Sequence, residues 1–173
     1  MNIVFGLAAL TLVTQIAAVV LLVALLGRKK NKTLGNISAY AGRQALWVSF
    51  VIFLTGMAGS LYFSEVMNWT PCILCWYQRI LLYPQTLLFG VALWKNEEVI
   101  IDYSIVLSTL GALIGAYHYA LQTWSNFLPA PCTGGESCAI KVFNYFGYIT
   151  IPLMALTAFV TVIILLVSRK ANR

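Results

Sequence analysis

Five separate apolar stretches, each long enough to cross a bilayer as a helix, limit what this chain can become. They cover residues 3–26, 46–64, 73–94, 99–122 and 149–167. Spanning the hydrocarbon core takes roughly 20 apolar residues, and in lipid a helix satisfies its backbone polar groups within itself. Composition agrees: 61% of the 173 residues are hydrophobic and 9% charged, where a soluble domain carries roughly a quarter charged. The expected fold is an all-α membrane protein with lipid as its main solvent, leaving little chain for a separate soluble domain.

The formal net charge of +6 suggests nucleic acid or an anionic surface only until the positions are read. Arg28, Lys29, Lys30, Lys32 and Arg43 lie between the first two stretches, Lys95 between the third and fourth, and Arg169, Lys170 and Arg173 after the fifth. With five spans, nine of the eleven basic residues fall on one side, Lys141 on the other and Arg79 inside a span. Short loops rich in Lys and Arg stay cytoplasmic, so the N-terminus is expected outside and the C-terminus inside a cell membrane, with no nucleic-acid partner. The first stretch lacks a basic leader and ends at Gly27-Arg28-Lys29-Lys30, which favours a retained anchor over a cleaved signal peptide.

On this topology Cys72, Cys75, Cys132 and Cys138 all face outward, where disulfides persist. Four cysteines allow three pairings, and number alone does not choose among them. Trp69, Trp76 and Trp124 lie near the same boundary, as interfacial aromatics do. Cys72 and Cys75 form a CxxC at a helix start, where the helix dipole and free amides stabilise a thiolate. Arg79 follows Cys75 by four residues, on the same helix face and about 6 Å deeper. It reads either as a snorkelling side chain or as a charge that serves chemistry, the default for an ionisable group inside a span. His118, the only histidine, lies six residues before Trp124, roughly 9 Å below the boundary and level with Arg79. Alone it would be a hydrogen-bonded core residue; at that level an imidazole can also donate to a reducible ring.

Cys132 and Cys138 sit in a Pro- and Gly-rich stretch, 128–138, that marks a loop, and Gly134-Gly135 would let it turn tightly enough for a bridge. A structural staple is the bland reading, but closing so small a loop removes little chain entropy. Ile140, Phe143 and Phe146 then share a helical spacing, which fits a short amphipathic interfacial helix in this second outer loop and equally the frayed start of the fifth span. Gly111/Gly115 and Ala112/Ala116 suit close helix packing. Pro84 and Pro152 suit kinks or caps, and Glu65 and Asp102 are interfacial charges without a chemical duty.

Cys72-Ile73-Leu74-Cys75-Trp76-Tyr77-Gln78-Arg79, the histidine one span later, the loop pair and 146–152 together resemble the DsbB family, especially its shorter-loop BdbC-like branch. The resemblance covers roughly residues 45–168. It implies a four-helix catalytic bundle over 45–168, preceded by an additional transmembrane helix and basic cytoplasmic loop over 1–44 and followed by a tail over 169–173. It implies a protein-disulfide oxidoreductase that reoxidises a DsbA-like thioredoxin-fold thiol oxidase and passes electrons to a membrane quinone, ubiquinone or menaquinone. On the same basis Cys132–Cys138 resembles the loop disulfide attacked by the partner, with Cys132 the site of the mixed disulfide. Cys72–Cys75 resembles the pair that reoxidises it, with Cys75 facing the quinone, and Arg79 and His118 resemble the quinone-side residues. The extra helix and the close spacing of the loop cysteines depart from the family prototype. A four-cysteine zinc or copper site is disfavoured by the oxidising face and by the lack of a second CxxC. A vitamin K epoxide reductase-type enzyme would carry its loop pair before the CxxC. A purely structural protein would leave Arg79 and His118 unexplained.

Overall fold

The computed structural model describes residues 2–124 and 138–172. Their architecture is a helical bundle: α1 (Asn2–Gly27), α2 (Lys32–Arg43), α3 (Ala45–Leu61), α4 (Ile73–Lys95), α5 (Ile100–Thr123) and α6 (Ile151–Ala171). A π-helical turn, Tyr62–Val66, extends α3. Four of these helices, α1, α3 with its π turn, α5 and α6, are long and apolar enough to cross a membrane. At 23 residues α4 reaches about 35 Å, which suffices in length. Its hydropathy is lower because Gln78, Arg79, Gln85 and Lys95 interrupt it, and Gln78 and Gln85 are buried inside the bundle rather than facing lipid.

α6 packs against α1, α2, α3 and α5, while α4 lies between α3 and α5. The core is built on aromatic rings: Phe53 meets Phe89 at 5.8 Å and Phe159 at 5.5 Å between centroids. The small residues of α5 serve packing as their spacing predicts. A Cβ on Gly111 would stand 2.5 Å from the Phe159 ring, and one on Gly115 would stand 3.2 Å from Leu156 Cβ. Pro84 lies within α4. Pro152 occupies the first turn of α6, where its missing N–H leaves no hydrogen bond unmade.

Two local readings change. The segment around Ile140, Phe143 and Phe146 is not an amphipathic helix. Tyr145 and Ile149 pair across a tight turn, with N–H···O bonds of 3.0 and 2.8 Å. Phe146 and Gly147 both take positive φ, 52° and 81°, a conformation that no α-helix holds and that glycine makes accessible. The aromatic side chains instead join a ring cluster in which Phe143 packs on Phe63, Trp69 and Tyr145. An amphipathic helix does occur, but in the basic loop as α2. Asn31 caps it, its Oδ1 accepting from Thr33 N at 2.9 Å, the side-chain-to-backbone bond that starts helices.

The basic residues gather at the end of the bundle away from the CxxC. Arg169 binds Glu98 and donates to the terminal carbonyls of α2, Gly42 O at 3.1 Å and Arg43 O at 2.9 Å. Lys170 pairs with Asp102 at 2.8 Å, and Arg28 donates to Ala171 O.

Candidate redox site

The chain turns at 67–72 and enters α4 with Cys72 as its N-cap residue, in an extended conformation. Cys72 and Cys75 therefore stand one helical turn apart, both as free thiols, with their sulfurs 3.2 Å from each other. Nε2 of His118 lies 3.6 Å from Cys72 Sγ. The imidazole is buried, and its Nδ1 has no partner among the described residues. The Cys72 thiol is held down to about 4 from its ordinary 9.0. The Cys75 thiol, donating to the thiolate, does most of this. Burial opposes it, and His118 assists.

Three donor atoms, from Cys72, Cys75 and His118, lie within 4.8 Å of one another. Two thiolates on tetrahedral zinc, each at about 2.3 Å, would stand about 3.8 Å apart. The closer approach found here suits sulfurs that exchange between dithiol and disulfide.

Cys138 is disulfide-bonded, and since Cys72 and Cys75 are free its bond is to neither. It packs with Cys72, Leu74 and Leu121 in one buried cluster, with Cys75 against it. Cys132 lies outside the described residues.

Arg79 is held against α3. Its Nε donates to Ser60 Oγ at 2.8 Å and its Nη2 to Ser60 O at 2.9 Å, and its guanidinium sits 5.4 Å from the Trp76 ring centroid. Two cavities open beside it. The larger, about 210 Å³, lies among α1, α3, α4 and α6, and Cys75, Gln78, Arg79 and Tyr83 contribute to a largely apolar wall. The smaller, about 70 Å³, brings Cys72, Cys75, Arg79, His118 and Cys138 to one space. The sequence placed Arg79 and His118 at one level, and both line this smaller cavity. Ser60 was not foreseen; nineteen residues away along the chain, it gives no local signal. Gln78 Nε2 and the Tyr83 hydroxyl, which have no partner among the described residues, were missed because amides and phenols in spans usually find partners.

With this geometry in place, kinship is decisive. The family model described as disulfide bond formation protein DsbB matches residues 42–168. The chain belongs to the DsbB family. Disulfide bond formation protein C of Bacillus subtilis is 41% identical over 129 residues, 74% of this chain and 94% of the relative. A probable disulfide formation protein C of Bacillus cereus is 40% identical over 138 residues, 79% of this chain and 92% of the relative. The prophage-derived disulfide bond formation protein B of Bacillus subtilis is 39% identical over 110 residues, 64% of this chain and 74% of the relative. No solved structure matches. As a DsbB-family protein the chain is a multi-pass membrane thiol oxidoreductase of disulfide bond formation.

Proposed function

We propose that this protein reoxidises a DsbA-like thioredoxin-fold thiol oxidase on the outer side of the cell membrane and delivers the electrons to a membrane quinone. The observation that carries the reading is the position of Cys75. It is one half of a close dithiol and opens onto an apolar cavity beside a fixed positive charge.

The residues present fit a quinone. Its carbonyls accept hydrogen bonds, and the cavity wall offers Gln78 Nε2 and the Tyr83 hydroxyl, donors with no acceptor among the described residues, besides the remaining N–H groups of Arg79. A bound quinone supplies a sink for two electrons and two protons. Toward it, Arg79 holds positive charge where an anion develops, and Ser60 fixes the guanidinium's orientation.

The rest is thiol exchange. A thiolate of the reduced partner attacks Cys132, breaking the Cys132–Cys138 bond. The partner's second thiol then closes its own disulfide and leaves Cys132 and Cys138 reduced. That dithiol in turn attacks the Cys72–Cys75 disulfide, restoring the loop bond and leaving Cys72 and Cys75 as thiols. Loss of two electrons and two protons from Cys72 and Cys75 re-forms their bond. Cys72 and Cys138 in one cluster supply the short path that the exchange between pairs requires. His118, at 3.6 Å, is placed to take or return the Cys72 proton.

Anaerobic mixing of purified protein with quinone and a reduced thioredoxin-fold dithiol, followed by quinone absorbance, tests this. Stoichiometric quinone loss with appearance of the partner disulfide is expected. Disulfide formation with no change in the quinone would refute it.

A further inference from the structure

α1 lies outside the family match, which begins at residue 42. It is nevertheless fastened to the bundle more closely than an anchor needs. Near its start Phe5 packs on Tyr145 and Phe146, with ring centroids 6.0 and 5.9 Å apart. At mid-length Gln15 is a polar residue in a largely apolar helix, and both ends of its amide are engaged. Its Nε2 donates to Thr157 Oγ1 on α6 at 3.1 Å, and its Oε1 accepts from the Tyr148 hydroxyl at 2.9 Å. Polar side chains in lipid-facing helices pair across helices because hydrocarbon offers them nothing else, and this pairing fixes the rotation of α1. Gly59 on α3 lets α1 approach: a Cβ there would stand 3.2 Å from Leu7.

The rotation so fixed turns Leu7, Leu10, Thr11 and Thr14 toward the larger cavity, the one into which Cys75 and Arg79 open. The hydroxyls of Thr11 and Thr14 donate to Leu7 O and Leu10 O of their own helix, each at 2.8 Å, so α1 presents a surface without free donors. Val13 and Ile16 face away and are mostly exposed.

We propose that α1 is a wall of the quinone site. It closes the cavity on a side where lipid would otherwise stand, and it limits the size of ring and side chain admitted next to Cys75. This rests on the quinone reading above. Donors then come from α4 and its Ser60 support, and shape comes from α1.

The test uses the full-length protein in nanodiscs with a short-chain quinone carrying an aryl azide. On illumination, adducts are expected in residues 7–14, suppressed by excess unlabelled short-chain quinone. Thr11→Trp, which fills the cavity from α1, should raise the quinone KM about tenfold or more, on the scale by which pockets reject excess bulk. Stoichiometric disulfide exchange with a reduced thioredoxin-fold partner should stay unchanged. Ile16→Trp, on the opposite face, should leave KM as it was. Adducts confined to α3, α4 and α6, or an unchanged KM in Thr11→Trp, would overturn the role of α1 while leaving quinone reduction standing. Absence of any competable adduct together with no quinone reduction by the unaltered protein would overturn both.

Discussion

Replacing Arg79 by leucine isolates the part of the site that owes least to the cysteines. Of the five N–H donors of a guanidinium, Nε and one on Nη2 are held by Ser60, and the rest belong to a group lining both cavities. Removing such a charge from where an anion develops commonly costs about 2–3 kcal/mol in a water-poor site. At about 1.4 kcal/mol per tenfold, the quinone step should slow by roughly thirtyfold to somewhat over a hundredfold. Arg79→Lys should recover part of this, since a point charge keeps the sign but loses the fork. Ser60→Ala removes one of the two anchoring bonds and leaves the backbone carbonyl. A loss of about 1 kcal/mol, or about fivefold, is expected. The assay is a single turnover: protein reduced at Cys72 and Cys75, mixed anaerobically with quinone, with absorbance followed in time. Folding should survive, because the change removes a costly charge from the membrane and opens no packed core. A folded Arg79→Leu protein that reduces quinone at the unaltered rate would refute the reasoning.

The two cysteine pairs should fail differently: Cys132→Ser should block transfer from the partner yet leave Cys72 and Cys75 oxidisable by quinone, whereas Cys75→Ser should block quinone reduction, both read in the same mixing experiment. A membrane-impermeant thiol reagent should label Cys132 of reduced protein in intact cells, whereas Cys72 and Cys138 are shielded by burial, and labelling of Cys132 only after lysis would reverse the proposed orientation. In reduced protein the ultraviolet absorbance of one thiolate, that of Cys72, should persist as pH falls until about 4, and Cys75→Ser should move its loss up toward the ordinary range. A thiol with a depressed folded pKa contributes stability that is full above its unfolded value and lost as pH falls through the folded one; reduced protein should therefore lose stability relative to Cys72→Ser between about pH 9 and pH 4. Gly111→Ala should lower thermal stability by about 1–3 kcal/mol, because its Cβ would meet the Phe159 ring at 2.5 Å, and a neutral result in a melting assay would deny that α5 and α6 pack so closely.

What could be read in the sequence was what local pattern controls. Apolar length gave the helices, glycine spacing gave the α5–α6 contact, and CxxC with arginine four residues on gave a thiol pair beside a charge. Period failed where aromatics belonged to a turn. Ile140, Phe143 and Phe146 have helical spacing, but Gly147 and the pairing of Tyr145 with Ile149 commit the backbone elsewhere. Partners distant in sequence were invisible for a different reason. Nothing near Ser60 announces that a guanidinium nineteen residues on will bind it, and nothing near Gln15 announces Thr157 or Tyr148. Such pairs arise only when the bundle sets helix rotation, so the cavity they shape was legible only in three dimensions.

The distribution of carboxylates explains why Arg79 can serve chemistry at all. Glu98 and Asp102 are paired with Arg169 and Lys170 at the far end of the bundle, where basic side chains also cap the last carbonyls of α2, a favourable place for cations. Among the described residues no carboxylate forms a salt bridge with Arg79; its partners are a hydroxyl, a backbone carbonyl and an indole face, all formally neutral. A structural arginine in a membrane bundle gains most from an acidic partner that cancels its charge. This one is positioned by neutral groups, with no carboxylate paired to it among the described residues. A positively charged group held without a counter-ion stabilises an anion that exists only during the reaction, and it does so without reorganising when that anion forms.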